Sequence, residues 1–511
     1  MLTDLMARTG GERWRADAAP SSSVLHWGQF LLGPEDVELP AGWVSQRLSN
    51  GAWLGTHPEL PVHRATAGES ELVLIGYVLD PREPEATDTQ ILERLLRETD
   101  SLSQLLRASA GLGGRWALVA FTRDGAHAFT DALGLRQVFH TRAAEHGGVW
   151  VMSQPGLALE CLGSSFDPAA VAFVDSYAFR AAAEYRWPGA ESPVAGLRHL
   201  LPNHVLDLCT GQVARYWPDG PLDPLRPSEA IERAVELLRG LVHAAALRYE
   251  LALSLTAGLD SRLVLAAARD VRERLSYVTV RQARMPDHHD DIRVPARLLA
   301  RIGLPHEVIR ARAAMSASFS WAYKRNVLYA HDHYGADAEA ILQHFGRRKI
   351  AMTGSGAEVG RCSFRRELPL SDYRRITAGH LAHLQRMYHP YARRCFEEWL
   401  ADAAPRANVK LLDLFEWEQG HGNWLAMTQL EFDTAWRDIF TPYNCRELLT
   451  TFLAAPERLR SAPDYPLFKQ MIRHLWPELL CEPINPNKRG RLQRRWRRLL
   501  EHVRGPSFRT A

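Results

Sequence analysis

The sequence predicts an α/β protein in two parts: a strand-rich first half, then a second half of alternating strands and helices around a parallel sheet. Three observations lead there. The 511 residues are about twice the length at which one hydrophobic core stops growing. Short apolar runs rich in β-branched and aromatic residues mark the first 217 residues, and a strand–helix alternation follows them. Between the two, Trp217-Pro-Asp-Gly-Pro-Leu-Asp-Pro-Leu-Arg-Pro227 is dense in turn formers. It sets the boundary between a domain of residues 1–217 and one of residues 218–511.

In the first half, Leu72-Val-Leu-Ile-Gly-Tyr-Val-Leu79 and Trp116-Ala-Leu-Val-Ala-Phe121 read as buried strands. Between them Ile91, Leu92, Leu95 and Leu96 recur at helical spacing within residues 87–108. Two further strands are expected at His127–Thr130 and Val149–Ser153. Beyond the linker, Ala230–Arg248 is expected to be a helix. A series then follows of strand 251–255, helix 261–270, strand 275–280, helix 291–302 and strand 307–309. Such a βαβ series implies parallel strands joined by right-handed crossovers. From about residue 365 the pattern is mostly helical.

At 46% hydrophobic and 24% charged residues, the composition is that of a soluble globular protein. No apolar run approaches the roughly 20 residues needed to span a bilayer. The opening MLTDLMARTGGERWRAD mixes charges without an apolar stretch, so no secretory signal and a cytoplasmic location are expected. Six scattered cysteines without a CxxC pair point to reduced thiols rather than a zinc site or disulfide framework. The clusters His288, His289, Asp290, Asp291 and His331, His333 have ligand-type residues, but neighbours on one element rarely converge on one ion. The net charge of +3 is uneven: residues 488–511 hold nine of the 62 basic residues and one of the 59 acidic ones. The remainder is mildly acidic, which argues against a nucleic-acid partner.

The stretch that carries chemistry is Leu253-Ser254-Leu255-Thr256-Ala257-Gly258-Leu259-Asp260-Ser261-Arg262. A turn of small residues between a buried strand and a helix points backbone N–H groups at a phosphate, aided by the helix dipole. Thr256 and Ser261 add hydroxyl donors, and Asp260 can hold Mg²⁺ against phosphates. The chain has no GxxxxGK[ST] phosphate loop. Thr256–Ser261 instead follows the S/T-x-G-x-D-S pattern of N-type ATP pyrophosphatases.

Several segments together make the chain resemble the asparagine synthetase family, and within it the β-lactam synthetases and lasso-peptide cyclases. Tyr277-Val-Thr-Val280 matches the strand that lies under the adenine, which makes Val278 a nucleotide contact. Asp291, Gly303 and His306 fall at the spacing of the family's D-x₁₁-G-x₂-H. Met352-Thr-Gly-Ser-Gly-Ala-Glu-Val359 resembles LSGEGADE, and Thr441-Pro-Tyr-Asn-Cys-Arg-Glu-Leu-Leu449 resembles R-x-PFLD-x-x-L. The resemblance implies ATP and Mg²⁺ as cofactors, with Asp260 and Glu358 as metal ligands. It places Ser254, Thr256, Ala257, Gly258, Asp260, Ser261, Arg262 and Gly354 around the nucleotide. Lys488 follows Leu475-Trp-Pro-Glu-Leu479 at about the position of the family's transition-state lysine, with Lys469 in reserve.

Residues 1–217 resemble the family's glutaminase domain, an αββα sandwich of the Ntn-hydrolase kind. Gly113–Phe121, Asp131–Phe139 and Leu200–His204 with Arg215-Tyr-Trp217 match its motifs. Such a glutaminase needs a nucleophilic cysteine immediately after the initiator Met. Here that residue is Leu2, the first cysteine is Cys161, and Ile75-Gly-Tyr-Val-Leu-Asp80 lacks the family's amide side chains. This half is therefore expected to be inactive on glutamine, with the second half a Rossmann-like ATP-pyrophosphatase domain carrying a helical extension.

The expected activity is ATP-dependent amide synthesis: a substrate carboxylate is adenylated and passed to an amine, of another molecule or of the same one. The family's glutamate base is Ser355 here. Glu416 and Glu418 are candidates to replace it, although both read more simply as solvent-facing helix carboxylates. In Arg491–Arg504, Leu492, Trp496, Leu499, Leu500 and Val503 form the apolar stripe of a basic amphipathic helix. That helix either packs on the domain or docks an acidic peptide, an anionic carrier or a membrane surface. Two other readings stay open, an RNA-modifying ATP pyrophosphatase and a degenerate scaffold protein.

Overall fold

The alternation of side chains along two long strands explains the architecture of the first half. In the strand Ser70–Leu79, Val73 and Ile75 enter one apolar core while Leu72, Leu74 and Val78 enter another. In the strand Gly113–Thr122, Ala117 and Val119 join the first core, and Trp116, Leu118 and Ala120 the second. Period-two alternation with both faces apolar means that each face of the sheet is covered. One face meets a second sheet, through Phe30, Leu32 and Leu54. The other meets the helices Asp88–Glu98 and Leu102–Ala108, through Ile91, Leu92, Leu95 and Leu105.

The structure, a computed structural model, describes residues 25–142, 147–182, 184–364, 367–368, 375–404 and 409–486. The protein is a mixed α/β molecule with two antiparallel sheets and one parallel sheet. The first antiparallel sheet orders its strands as Val213–Arg215, His204–Asp207, Gly125–Thr130, Gly113–Thr122, Ser70–Leu79 and Val62–Ala67. The second runs Arg198–His199, Phe139–His140, Val151–Met152, Phe30–Gly33, Trp53–Thr56 and Val44–Arg47. Leu157 and Ala158 of the helix Gly156–Cys161 cover its outer face.

The parallel sheet carries the site. Its spatial order is Glu307–Arg310, Leu275–Arg281, Leu251–Ser254, Ile350–Met352 and Asp438–Phe440, with every neighbouring pair parallel. Numbered along the chain that is 3-2-1-4-5, the doubly wound arrangement. Helices cover both faces, as buried parallel strands require. Leu251 and Leu253 pack with Leu238, Leu241, Leu263 and Val264. Ala252 and Ala351 pack with Phe319, Tyr323 and Ile341 on the other face.

The expected βαβ series is present, its central helices at Leu259–Ala267 and Asp290–Arg301. Residues 218–226 hold no helix or strand, and the helix Pro227–Arg248 follows them. Past residue 375 the described chain is mostly helical, apart from the strand Asp438–Phe440 and a π-helical run at Glu416–Leu425. No described helix is long and apolar enough to cross a membrane. Leu2, Lys488 and the basic stretch 491–504 lie outside the described residues.

Buried polar contacts join the two halves. Tyr77 donates to the Ile439 carbonyl at 2.9 Å, Trp417 Nε1 to the Ala132 carbonyl at 2.6 Å, and the Leu133 N–H to Asn444 Oδ1 at 2.8 Å. Arg115 binds both Asp433 and Asp438, and Arg136 binds Asp438 at 2.6 Å.

Candidate active site

In a doubly wound sheet, ligands bind outside the carboxyl ends of the strands, where the strand order reverses. Here that point lies between Leu251–Ser254 and Ile350–Met352, and the loops leaving these strands hold the residues singled out in the sequence. The first loop runs from Leu255 to Gly258 and enters the helix Leu259–Ala267, whose N-terminus has no side-chain cap. Its shape is set by its own hydroxyls. The Thr256 N–H donates to Ser261 Oγ at 3.3 Å, and the Gly258 N–H to Thr256 Oγ1 at 3.1 Å. Asp291 accepts the Ala257 N–H at 2.9 Å, and the Asn485 N–H donates to the Ala257 carbonyl at 2.9 Å.

The second loop lies hard against the first. A Cβ on Gly354 would stand 2.5 Å from the Ser261 nitrogen and 2.8 Å from the Asp260 carbonyl carbon, so only glycine allows this approach. Gly356 has φ +98°, which turns the chain into the short 3₁₀ helix Ala357–Gly360 and presents Glu358. Asp260 and Glu358 then meet on one guanidinium. Arg361 Nη1 is 3.1 Å from Asp260 Oδ2, and its Nη2 is 2.8 Å from Glu358 Oε1. His421 Nε2 stands 3.5 Å from Glu358 Oε2, and its Nδ1 lies 3.0 Å from the Glu416 carbonyl. Tyr443 closes the group by donating to the Asp260 carbonyl at 3.1 Å.

The charges here are pushed apart. Burial raises the Glu358 carboxyl, but the contact with His421 and the charge of Arg361 outweigh it and hold the group below its ordinary value. Burial lowers His421, yet Glu358 and Glu416 more than compensate, so the imidazole is held above its ordinary value. Glu416 is raised, mainly by burial and with the negative charge of Glu358 adding to it. Two neighbouring carboxyls moved in opposite directions are suited to different roles. Among the described residues, no three His, Cys, Asp or Glu side chains gather as a metal cage. Two carboxylates drawn together by one cation fit a magnesium ion that takes its other ligands from phosphate oxygens and water.

Thr256, Ala257, Gly258, Asp260, Ser261, Gly354 and Glu358 lie on these two touching loops and the turns that follow them, with Ser254 at the end of the central strand. Two of the expected nucleotide contacts have partners within the protein. Arg262 does not face solvent. It is buried and donates to the carbonyls of Leu479, Glu482 and Pro483 at 3.3, 2.5 and 2.9 Å, and burial brings its guanidinium down to about 10. Val278 packs its side chain with Ala252, Ile309 and Tyr323, while its carbonyl accepts the Leu255 N–H at 2.8 Å. Glu418, expected to face solvent, is fully buried and held by Arg215 and by Trp399 Nε1 at 2.8 Å.

Lys488 lies outside the described residues, three positions beyond the loop-bound Asn485. Lys469 is engaged by Asp464 at 3.3 Å. Cys161 is half-buried with its thiol pushed up to about 12 by burial, unlike an activated nucleophile. Of the family-spaced trio, Asp291 supports the loop, Gly303 has φ +74°, and His306 Nε2 lies 2.9 Å from Thr279 Oγ1. Arg361 and His421 were not foreseen. The only sequence signal for Arg361 was its place three residues after Glu358, and for His421 the glycines on either side of it.

No protein-family model matches the chain, and no curated protein matches it. Among solved structures, glutamine-dependent NAD+ synthetase from Acinetobacter baumannii in complex with adenosine diphosphate aligns at 16% identity and a TM-score of 0.20. That alignment covers 33% of this chain, which spans 32% of the synthetase. Glutamine phosphoribosylpyrophosphate amidotransferase from B. subtilis, complexed with ADP and GMP, aligns at 12% identity and a TM-score of 0.23, covering 68% of this chain and 74% of its own. A structure described as the allosteric regulatory enzyme of purine biosynthesis aligns at 11% identity and a TM-score of 0.22, over 65% of this chain and 71% of its own. Likenesses this low carry no inference about activity.

Proposed function

We propose that the protein is an ATP-dependent, AMP-forming amide synthetase of the asparagine synthetase type. The observation that carries this reading is the convergence of Asp260 and Glu358 beside an uncapped helix N-terminus at the switch point of the parallel sheet. A carboxylate oxygen of the substrate attacks the α-phosphorus of ATP, the bond to pyrophosphate breaks, and an amine then displaces AMP from the acyl group. The first-turn amides of Leu259–Ala267 and the hydroxyls of Thr256 and Ser261 receive the departing pyrophosphate. Magnesium, held by Asp260 and Glu358, would supply positive charge against the triphosphate.

Lys488 is the group that the resemblance to the family assigns to steady charge on the acyl centre. Glu416, raised above its ordinary value beside His421, is the carboxyl suited to take the proton of the amine. The nitrogen is supplied by a free amine or by an amine on the substrate itself. In the second case the same chemistry closes a lactam or macrolactam.

The test is equilibrium binding of ATP with Mg²⁺ to the wild type and to Asp260→Ala. Affinity that falls at least tenfold in the variant supports the reading. Equal affinity in both, or no binding at millimolar ATP, overturns it, and no binding favours a scaffold.

A further inference from the structure

We propose that Arg361 is a counter-cation built into the nucleotide site, so that the protein takes up ATP with a single divalent ion. The inference rests on the nucleotide reading above and deepens it. Two carboxylates facing a triphosphate leave more negative charge than one divalent ion balances, and such sites invite a second. Here a side chain of the protein already brings one positive charge to both carboxylates. Arg361 reaches Asp260 with one terminal nitrogen at 3.1 Å and Glu358 with the other at 2.8 Å. A planar guanidinium suits this task, because its fork of donors spans two acceptors at once, which a lysine ammonium does not do with the same geometry.

The side chain is built in rather than draped over the site. Arg361 is only 11% exposed. Its guanidinium lies 5.4 Å from the ring centre of Tyr465, whose backbone takes a left-handed φ of +45° at the start of the helix Pro466–Leu475. Withdrawal of Arg361 would uncover that ring and strip both carboxylates of a partner. The backbone also holds it in place, since Arg361 closes the same short 3₁₀ turn that presents Glu358, with its N–H donating to the Glu358 carbonyl at 2.9 Å.

The prediction is a metal count. The full chain is titrated with Mn²⁺ in the presence of a non-hydrolysable ATP analogue, and bound Mn²⁺ per bound nucleotide is read by electron paramagnetic resonance. The wild type is expected to bind one ion per nucleotide, Arg361→Lys one, and Arg361→Met two. A wild type that binds two ions overturns the proposal while leaving the nucleotide site intact. One ion in the wild type and still one in Arg361→Met also overturns it, because Arg361 is then not what excludes the second. A wild type that binds no analogue overturns the nucleotide reading and this inference with it. Arg361→Lys guards against a variant that merely misfolds, since its count must match the wild type.

Discussion

Two clusters in this protein set arginine against paired carboxylates, and they are built to opposite specifications. At the seam between the halves, Arg115 and Arg136 hold Asp433 and Asp438 with side chains only 2–10% exposed. Arg115 grips Asp433 by two parallel bonds, at 2.5 and 2.8 Å, and Asp438 by a third at 2.9 Å. At the switch point, one arginine spans Asp260 and Glu358 by single contacts, and those carboxylates are 18% and 34% exposed. Similar groups thus serve different ends. Buried and doubly bonded, they lock two sheets together. Half-open and each met by the arginine through one nitrogen, they can exchange partners with a ligand.

Removing the arginine tests this contrast most severely. Arg115→Met strands the buried Asp433 and takes one of two arginine partners from Asp438, and is expected to cost about 3–5 kcal/mol of stability. Arg361→Met, whose carboxylate partners are 18% and 34% exposed, is expected to cost clearly less than Arg115→Met. Urea unfolding of both variants checks the pair, and equal costs would erase the distinction. The next effect concerns acid. His140 and His199, both buried, are each lowered to about 4, mainly by burial. A depressed histidine keeps the folded state from taking up protons that the unfolded chain accepts. The contribution of these two histidines should therefore be flat above about pH 6.5 and fall as pH drops toward 4, by about 3 kcal/mol for each histidine. The His140→Gln, His199→Gln double variant should flatten that slope when unfolding is followed against pH.

At the switch point the expected effects fall on chemistry. Glu416→Gln should slow amide formation by about 10²-fold or more while leaving adenylation of the carboxylate near the wild-type rate. Rapid-quench measurement of AMP and amide separates the two steps, and an equal loss in both would remove Glu416 from the role of base. The smallest effect is expected from Gly354→Ala, which presses a methyl group onto the Ser261 backbone and should weaken ATP binding by about tenfold. Unchanged affinity would mean that the two loops need not touch.

The contrast also explains what the sequence could reveal. The loop was legible because Thr256, Gly258, Asp260 and Ser261 are contiguous, and the strand before them and helix after them have clear periods. Arg361 was not, because its partner Asp260 lies 101 residues away in the chain. Arg262 was misjudged for the same reason, since the carbonyls it binds belong to residues 479–483. The strands Ile350–Met352 and Asp438–Phe440 are three residues each, too short to show a period, although they complete the sheet on one side of the switch point. The second antiparallel sheet was glimpsed only at Val149–Ser153, since its other strands are two to four residues long.

The measurement that goes most directly to the central claim is exchange of labelled pyrophosphate into ATP across a panel of amino acids, peptides and diacids. The account predicts exchange that requires a particular carboxylate and Mg²⁺, is lost in Asp260→Ala, and gives AMP as the nucleotide product once an amine is supplied. Cleavage of ATP to ADP and phosphate, in place of AMP and pyrophosphate, would contradict it.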